Sequence, residues 1–480
     1  MMTYDRRTFF KTLLTAVAPT PPADPIHHLL QRISYGPRPD EIARAQQMGI
    51  PAYLEEQLNP QSIPDSDCDA RLARLPILFM DRHTAHRLSD SQYRTYKALV
   101  QGFVTRAAHS RRQLLERVVE FWADHFNVVT DDADLLIYQR EAIRQHALGT
   151  FGELLTATAK SPAMLVYLDN YVNVAAHPNE NYARELLELH TLGVDGGYTE
   201  QDVKEVARAF TGWTIHNGVR SGFYFNPAEH DDGAKAALGH HLPGGRGIED
   251  GLHMLQIVAN HPATAVFVSR KLATRFVSDD PPPSLVNGMA RVWQQTGGDI
   301  RAILRHLFLS PEFQSSVGQK LRRPLDFFIG TLRATGSEIS DWWQLEQMLH
   351  ALGQPPYGWH PPDGYPDTAV AWLSTSGLLT RWNLAMQLTH AAHEDPQGWG
   401  WGLRANLHEH IGSPQTVGEL VDEVAAQVFG MPLGGEGRDA FIAYAADGGG
   451  ANTPLTTRRR GRKLGSLFGL MLASPYFQWR

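Results

Sequence analysis

Residues 179–213 constrain the fold most, because they read as two amphipathic helices joined by a glycine turn. Plotted at about 100° per residue, the first helix separates a polar arc from an apolar arc. The polar arc holds Glu180, Asn181, Arg184, Glu185, Glu188 and Thr191. The apolar arc holds Tyr182, Ala183, Leu186, Leu187 and Leu189, with His190 in its middle. The segment therefore predicts a helical hairpin with one charged face and one apolar face.

The ends of both helices are marked by residues that stop or start helices. Gly193 ends the first helix, and Gly196 and Gly197 allow the chain to reverse. Thr199 caps the second helix, with Asp202 three residues later as a variant of the capping box. The predicted buried face of the second helix consists of Val203, Val206, Ala207 and Phe210, with Trp213 following on the same side.

The rest of the chain predicts helices as well, since no segment shows sustained strand alternation. Helical patterns cover residues 26–33, 40–48, 51–58, 92–126 with a break near Ser110, and 138–160. Three Ser-Pro pairs, at Ser161, Ser310 and Ser474, each predict the start of a new helix. The predicted class is all-α: a large multi-helix globular domain, or two fused lobes, with long Pro/Gly-rich loops.

Proline distribution suggests where the chain divides. Residues 354–367 hold several prolines among aromatic residues and cannot be helical. The predicted organisation is a leader at residues 1–23, a main helical domain at 24–353 that carries the hairpin, and a C-terminal helical part at 354–480 entered through this loop. Glycines at 434–437 and 448–450 predict flexible surface loops.

Composition excludes several classes of protein. Apolar residues make up 42% and charged residues 20%, as in a globular chain. The net charge of −7 gives no general attraction to nucleic acid. No apolar run approaches the roughly 20 residues of a transmembrane span. Cys68 is the only cysteine, which excludes an internal disulfide and a cluster of thiolate metal ligands.

The N-terminus favours export. Arg6 and Arg7 precede two phenylalanines and a lysine, an arrangement that resembles a twin-arginine signal. A short apolar stretch follows, with the small residues that a signal peptidase requires. The expected location is periplasmic or extracellular. The alternative is an ordinary basic N-terminus on a cytoplasmic protein.

The polar arc of the first helix supplies the leading catalytic candidates. Glu185 and Glu188 are neighbours on one helix face and are suited to acid–base chemistry on a glycosidic or ester bond. Arg184 lies four residues before Glu188 and is expected to pair with it. Asn179 and Asn181 are expected to bind substrate beside them. The alternative interpretation is a solvated, ion-paired surface.

Three further groups are candidates for the same site. His125 and His190 lie on apolar helix faces, where two inward histidines can meet in one cleft and change charge near neutral pH. His230, Asp231 and Lys235 lie on a glycine-containing loop, which is expected to close the cleft, with His230 relaying protons or orienting a catalytic group. Trp359 belongs to an aromatic group suited to stacking on sugars or to sealing the helices.

Common metal and nucleotide motifs are missing. The sequence has no His-Glu-x-x-His helix and no phosphate-binding glycine loop ending in Lys-Ser or Lys-Thr. It predicts no metal site, and it leaves any cofactor unknown.

The run from Asn179 to Gly193, NENYARELLELHTLG, and the AFTGW ending at Trp213 resemble the signature of a bacterial family, the domain of unknown function numbered eighteen hundred. The resemblance extends over nearly the whole chain. It implies an all-helical and mostly exported protein of no established activity. It also suggests a partner, because genes of this family often lie beside genes for exported sulfatase-like proteins.

Two functions stay open. The first is an exported hydrolase that acts on an envelope or extracellular polymer through carboxylates. The second is a non-catalytic helical scaffold that binds a partner. A shared pocket of carboxylates and histidines favours the enzyme, and an exposed apolar patch favours the scaffold.

Overall fold

Amphipathic helices build this fold, as the sequence predicts. The computed structural model describes residues 24–130, 133–215, 222–339, 341–394 and 403–480. Helices account for 64% of the structure and strands for 5%, which confirms the all-α class. The predicted leader, residues 1–23, lies outside the described residues.

The first half of the chain forms short and medium helices. Its α-helices span Pro25–Ile33, Pro39–Met48, Ile50–Leu58, Ser66–Leu72, Arg82–His86, Ser91–His109, Gln113–His125, Asp134–Ile137, Phe151–Ala159, Pro162–Tyr167, Asn181–Glu185 and Glu200–Ala209. Single 3₁₀ turns span Pro60–Ser62, Pro76–Phe79 and Asn170–Val172. The predicted break near Ser110 is confirmed, because one helix ends at His109 and the next begins at Gln113.

The second half continues in the same way. Its α-helices span Glu249–Asn260, Pro262–Phe276, Pro283–Thr296, Ile300–Leu309, Pro311–Gln314, Pro324–Thr335, Trp342–Leu352, Thr375–Glu394, Val417–Phe429, Gly435–Ala445, Thr457–Ala473 and Pro475–Gln478. Its 3₁₀ turns span Pro227–Glu229, Ala369–Ala371 and Leu407–His410. The prediction of a flexible loop at 434–437 is wrong, because a helix begins at Gly435.

All three Ser-Pro pairs start helices, and in each the proline occupies the first turn. Only the Ser310 side chain completes a cap, accepting a hydrogen bond from the Phe313 amide.

Strands are few and short among the described residues. They form three antiparallel pairs: Trp213–Ile215 with Phe223–Phe225, Lys235–Ala237 with His240–Leu242, and Glu338–Ile339 with Leu403–Arg404. The first two pairs follow the hairpin directly and hold the loop that carries His230.

The hairpin differs from a regular helix in one respect. Its first helix is α-helical at Asn181–Glu185 and π-helical at Leu186–His190. We call residues 181–190 the signature helix. The Thr191 hydroxyl donates to the Leu186 carbonyl at 2.5 Å, and the Gly193 amide donates to the Leu187 carbonyl at 3.1 Å. The wider turn changes which residues share a face, and such turns are frequent at functional sites. The second helix starts at the predicted capping box of Thr199 and Asp202.

Buried side chains form two hydrophobic clusters. One is built mainly from residues between Leu29 and Phe313 and includes the hairpin. The other contains Tyr35, part of the Ser91–His109 helix and most core residues from Leu325 to Phe477. The helix Pro324–Thr335 belongs to the second cluster, so the change of core precedes residue 354. The domain division at 354 stays a prediction.

A buried ion network lies between these clusters and is shared by distant parts of the chain. Its members are Arg117, Arg275, Arg323, Arg480, Glu120, Asp124, Asp326 and Asp367. Two representative distances are 2.6 Å from Arg275 to Asp124 and 2.7 Å from Arg480 to Asp326. The four arginines match the four carboxylates in charge. Because removing one partner of a buried pair leaves an uncompensated charge, loss of a single member of this network is expected to destabilise the fold.

Of the helices that the structure describes, each is too short or too polar to cross a lipid bilayer.

Candidate functional site

A cavity of about 340 Å³ lies where three segments meet. They are the helices Gln113–His125 and Pro262–Phe276 and the loop at residues 354–367, which we call the aromatic loop. The residues that define its chemistry are Asp124, His125, Arg270, Lys271, Trp359 and Asp363. The volume is within the range of about 300–1,000 Å³ that small-molecule sites occupy.

The aromatic loop is fastened to the helices through its backbone. The Asn127 side chain donates to the carbonyls of Trp359 and Pro361, both at 2.7 Å. The Tyr167 hydroxyl donates to the His360 carbonyl at 2.5 Å. Gly364 has φ +74°, and a Cβ there would lie 2.0 Å from the Asp124 carbonyl oxygen. Only glycine permits this close approach, which brings the loop against the helix that carries His125.

Two aromatic rings of the loop are held in position by their polar ends. The Trp359 indole N–H donates to Asp363 at 2.8 Å, and the Tyr365 hydroxyl donates to the Pro355 carbonyl at 2.8 Å. Their ring centroids are 5.0 Å apart at an angle of 47°. Since Trp359 is only partly buried, its ring remains accessible to a ligand in the cavity.

His125 and His190 do meet, as the sequence predicts. Their ring centroids are 6.2 Å apart, and each side chain is 1% exposed. The His125 Nε2 donates to the His190 carbonyl at 3.0 Å. A carbonyl only accepts, so Nε2 carries the proton and Nδ1 presents a lone pair. That Nδ1 has no hydrogen-bond partner among the described residues.

The prediction that these histidines change charge near neutral pH is wrong. Burial holds the pKa of His125 well below its ordinary value, with the charge of Lys271 acting in the same direction. Burial, followed by the charge of Lys271, lowers the pKa of His190 to about 3. Both rings are therefore neutral in the folded protein at pH 7.

Glu185 lies beside the aromatic loop. Burial raises its pKa, and the nearby carboxylates of Glu188 and Asp363 raise it further, against an opposing effect of Arg184. The same two charges, Glu185 and Asp363, act together with burial to raise the pKa of Tyr167 to about 12. The charge of Asp363 on the aromatic loop thus reaches Glu185 on the signature helix, although the two residues are about 180 positions apart in sequence.

Arg184 does not form the expected pair with Glu188. It binds Glu200 of the second hairpin helix through two nitrogens, at 2.7 and 2.8 Å, and Glu180 at 3.1 Å. Among the described residues, neither Glu185 nor Glu188 has an ion-pair partner within 4.0 Å. Arg184 joins the two helices of the hairpin, and the two glutamates remain available.

The two asparagines have different surroundings. The Asn179 side chain accepts from the Asn181 amide at 2.9 Å, so it shapes the start of the signature helix. Its own amide donates to the Asn173 side chain at 2.8 Å. The Asn181 side chain is exposed.

His230, Asp231 and Lys235 belong to a separate cluster around buried Asp250. His230 Nδ1 donates to the Thr211 carbonyl at 2.8 Å, and its Nε2 lies 3.3 Å from Asp250. Lys235 donates to Asp250 at 2.7 Å and to backbone carbonyls.

Asp231 receives two bonds from Arg208, at 2.7 and 3.1 Å. These contacts fasten the loop to the second hairpin helix. The loop does not line the cavity that holds His125 and Trp359.

Sequence reasoning missed Arg270, Lys271 and Asp363. The two cations lie on one turn of Pro262–Phe276, with Thr274 beside them on the cavity wall. From the sequence they look like ordinary surface charge, and only the loop folded over them makes a cavity. Asp363 stands before Gly364, and an Asp-Gly pair within a proline-rich loop signals a fixed turn.

No group of three or more metal-binding side chains comes together among the residues that the structure describes. The side chains that line the cavity are carboxylates, cations, a histidine and aromatic rings.

This combination defines a large helical protein with a polar, aromatic-lined cavity beside its signature helix. The chain belongs to the DUF1800 family, described as a protein of unknown function, whose sequence model matches residues 28–479. No curated protein and no solved structure matches it.

Proposed function

We propose that this protein is an exported hydrolase that acts on an envelope or extracellular polymer, with its active site in the cavity under the aromatic loop. The supporting observation is a cavity of about 340 Å³ lined by Asp363, aromatic rings and cations, with Glu185 near enough for the charge of Asp363 to raise its pKa. Hydrolysis of a glycosidic bond requires an acid and a base in this kind of setting.

The two carboxyl groups take different roles because their surroundings differ. Glu185 is partly buried with no cation bound to it, so its raised pKa suits it to donate a proton to the leaving oxygen. Asp363 is exposed, and the hydrogen bond that it accepts from Trp359 holds it in place as the base. In this mechanism Asp363 takes a proton from the attacking water, and the water oxygen bonds to the carbon that loses the leaving group.

In this mechanism His125 and Glu188 have supporting roles, and His230 has no role. His125 offers a buried lone pair on the cavity wall, and Glu188 raises the pKa of Glu185. The His230 ring is held by Thr211 and Asp250 in its own cluster, so a proton relay through it is not part of this mechanism.

Activity can be tested on a panel of bacterial and plant polysaccharides by measuring newly released reducing ends. We expect Glu185→Gln to reduce the rate on any cleaved polymer by about 10²- to 10⁴-fold, as the loss of a general acid does. Glu229→Gln changes an exposed glutamate of the His230 loop and is the control. If Glu185→Gln cleaves the polymer as fast as wild type, Glu185 is not the acid.

Export forms a separate part of the proposal, supported by the Arg6-Arg7 pair. Replacing both residues with lysine is expected to retain the protein in the cytoplasm, because the twin-arginine pathway reads this pair. Cell fractionation measures the outcome. Wild-type protein found only in the cytoplasm contradicts export.

A second candidate function, partner binding, is supported by a groove between the helices Trp342–Leu352 and Thr375–Glu394. It encloses about 500 Å³ and is lined mostly by apolar surface, with Trp343 62% exposed beside it. Exposed aromatic residues in such grooves favour protein contacts. An exported sulfatase-like protein, which the family resemblance suggests, is the partner to test, by co-purification with wild type and with Trp343→Gln.

A further inference from the structure

Two cations of the cavity have no counter-ion. Among the described residues, neither Arg270 nor Lys271 has a carboxylate within 4.0 Å or a hydrogen-bond partner. The Lys271 ammonium lies over the ring of Phe267, 5.7 Å from the ring centroid. Arg275, one turn further along the same helix, is by contrast bound to Asp124 and Asp367, both at 2.6 Å.

The other carboxylates of the cavity wall do not balance these cations. Asp124 and Asp367 favour the charged form of Lys271 from a distance, but their ion pairs are with Arg275 and Arg323 of the buried ion network. Asp363 remains, and its side chain accepts the Trp359 N–H. The cavity lining therefore keeps two unpaired cations against one carboxylate.

Lys271 is expected to bind an anion more tightly than a fully exposed lysine would. It is partly buried beneath the aromatic loop, so it has lost part of its hydration, and burial lowers its pKa. Attraction between opposite charges strengthens as water is excluded, and a charged hydrogen bond restores what desolvation removed.

We infer that the cavity recognises an anionic group, a carboxylate or a sulfate ester on a sugar ring, with Lys271 and Arg270 as its counter-ions and Trp359 as the platform for the ring. This assignment rests on the proposed function for the polymer class, and it adds that the polymer is acidic. Trp359 is fixed through Asp363, and both cations line the same cavity, so the inferred sugar ring lies on Trp359 with its anionic group toward the cations.

Binding can be measured by isothermal titration calorimetry with two matched pairs of tetrasaccharides. The first pair is oligogalacturonate and its methyl ester, and the second is a sulfated galactan oligosaccharide and its desulfated form. We expect one acidic member to bind at least tenfold tighter than its neutral match. The pair that shows this preference identifies the anion as carboxylate or sulfate.

Variants then assign the preference to the cavity. Lys271→Met is expected to weaken binding of the acidic probe by about tenfold or more, the scale of a lost charge-assisted hydrogen bond. Lys271→Arg is expected to retain most of the affinity, because it keeps the charge. Lys204→Met removes an exposed lysine of the second hairpin helix and is the control. Thermal unfolding confirms that each variant is folded.

Equal affinity for acidic and neutral members, no binding of either acidic probe at millimolar concentration, or unchanged binding by folded Lys271→Met overturns the inference. None of these results tests the acid–base role of Glu185, which is measured by the reducing-end assay. Conversely, charge-dependent binding without any cleavage leaves this inference standing and removes the hydrolase.

Discussion

At the scale of single residues, Trp213 shows how the hairpin is anchored. Its side chain is fully buried and its ring meets those of Phe210 and Phe223, at centroid distances of 5.0 and 5.1 Å. Gly251 lies against the indole so closely that a Cβ there would come within 2.6 Å of it. The predicted burial of Phe210 and Trp213 is confirmed.

Trp213→Ala is expected to lower the free energy of unfolding by about 3–5 kcal/mol, because it empties a fully packed site. Trp343→Ala, at a 62% exposed position, is expected to change it by under about 0.5 kcal/mol. Urea unfolding compares the two variants. If Trp213→Ala lowers the free energy of unfolding as little as Trp343→Ala does, burial of Trp213 contributes little to stability.

At the scale of elements, the aromatic loop supplies the wall that encloses the cavity. The helices that face it, Gln113–His125 and Pro262–Phe276, contribute buried residues to the first hydrophobic cluster. Asn127, Tyr167 and Gly364 attach the loop to the first cluster through backbone contacts. Asp367 at the end of the loop adds ion pairs with Arg275 and Arg323. The cavity therefore depends on contacts to a segment that has no regular structure of its own between residues 354 and 367.

Gly364→Ala is expected to destabilise the loop more than Gly353→Ala does. Both glycines have positive φ, +74° and +83°, so each alanine adds backbone strain of about 1–2 kcal/mol. Only at Gly364 does the new Cβ also meet the Asp124 carbonyl; at Gly353 the space is open. Hydrogen exchange of residues 354–367 measures the difference. Equal protection in the two variants would contradict a loop pressed onto this helix.

The helices could be predicted from local sequence patterns, whereas the site depends on long-range contacts that these patterns do not reveal. Capping and proline positions predict helix starts such as Thr199 and Pro311, because caps act within one turn. The π-helical turn at Leu186–His190 has no comparable local signal.

Spacing along one helix made Glu188 the expected partner of Arg184, but a second helix offers Glu200 in better geometry. The charge of Asp363 reaches Glu185 only because distant segments pack together, which periodicity does not encode. The His230 loop was expected at the same cleft, and its polar residues instead satisfy one another around Asp250.

At the scale of the whole molecule, buried charge and buried histidines make stability depend on pH. His28 and His190 are both buried, and burial is the main cause that lowers each pKa from 6.5 to about 3. Below pH 6.5 these two histidines bind protons in the unfolded chain but stay neutral in the folded protein. Stability is therefore fully present above pH 6.5 and is lost as pH falls from 6.5 toward 3.

Each such histidine is expected to remove roughly 1.4 kcal/mol of stability per pH unit within this window. Urea unfolding at pH 7, 6 and 5 measures the slope for wild type. His190→Leu is expected to flatten the slope by about one histidine's share, whatever its stability at pH 7. His241→Gln, at an exposed histidine, is the control. An unchanged slope in His190→Leu would mean that His190 becomes charged in the folded protein.

The central claim is that Glu185 and Asp363 act as acid and base, with the charge of Asp363 helping to raise the pKa of Glu185. NMR titration of ¹³C-labelled glutamate carboxyls measures this directly, with Glu185→Gln assigning the signal. We expect Glu185 to titrate above its ordinary pKa of 4.5, since burial and neighbouring carboxylates raise it, and to move back toward that value in Asp363→Asn. A Glu185 signal that titrates at about 4.5 in both proteins would contradict the claim.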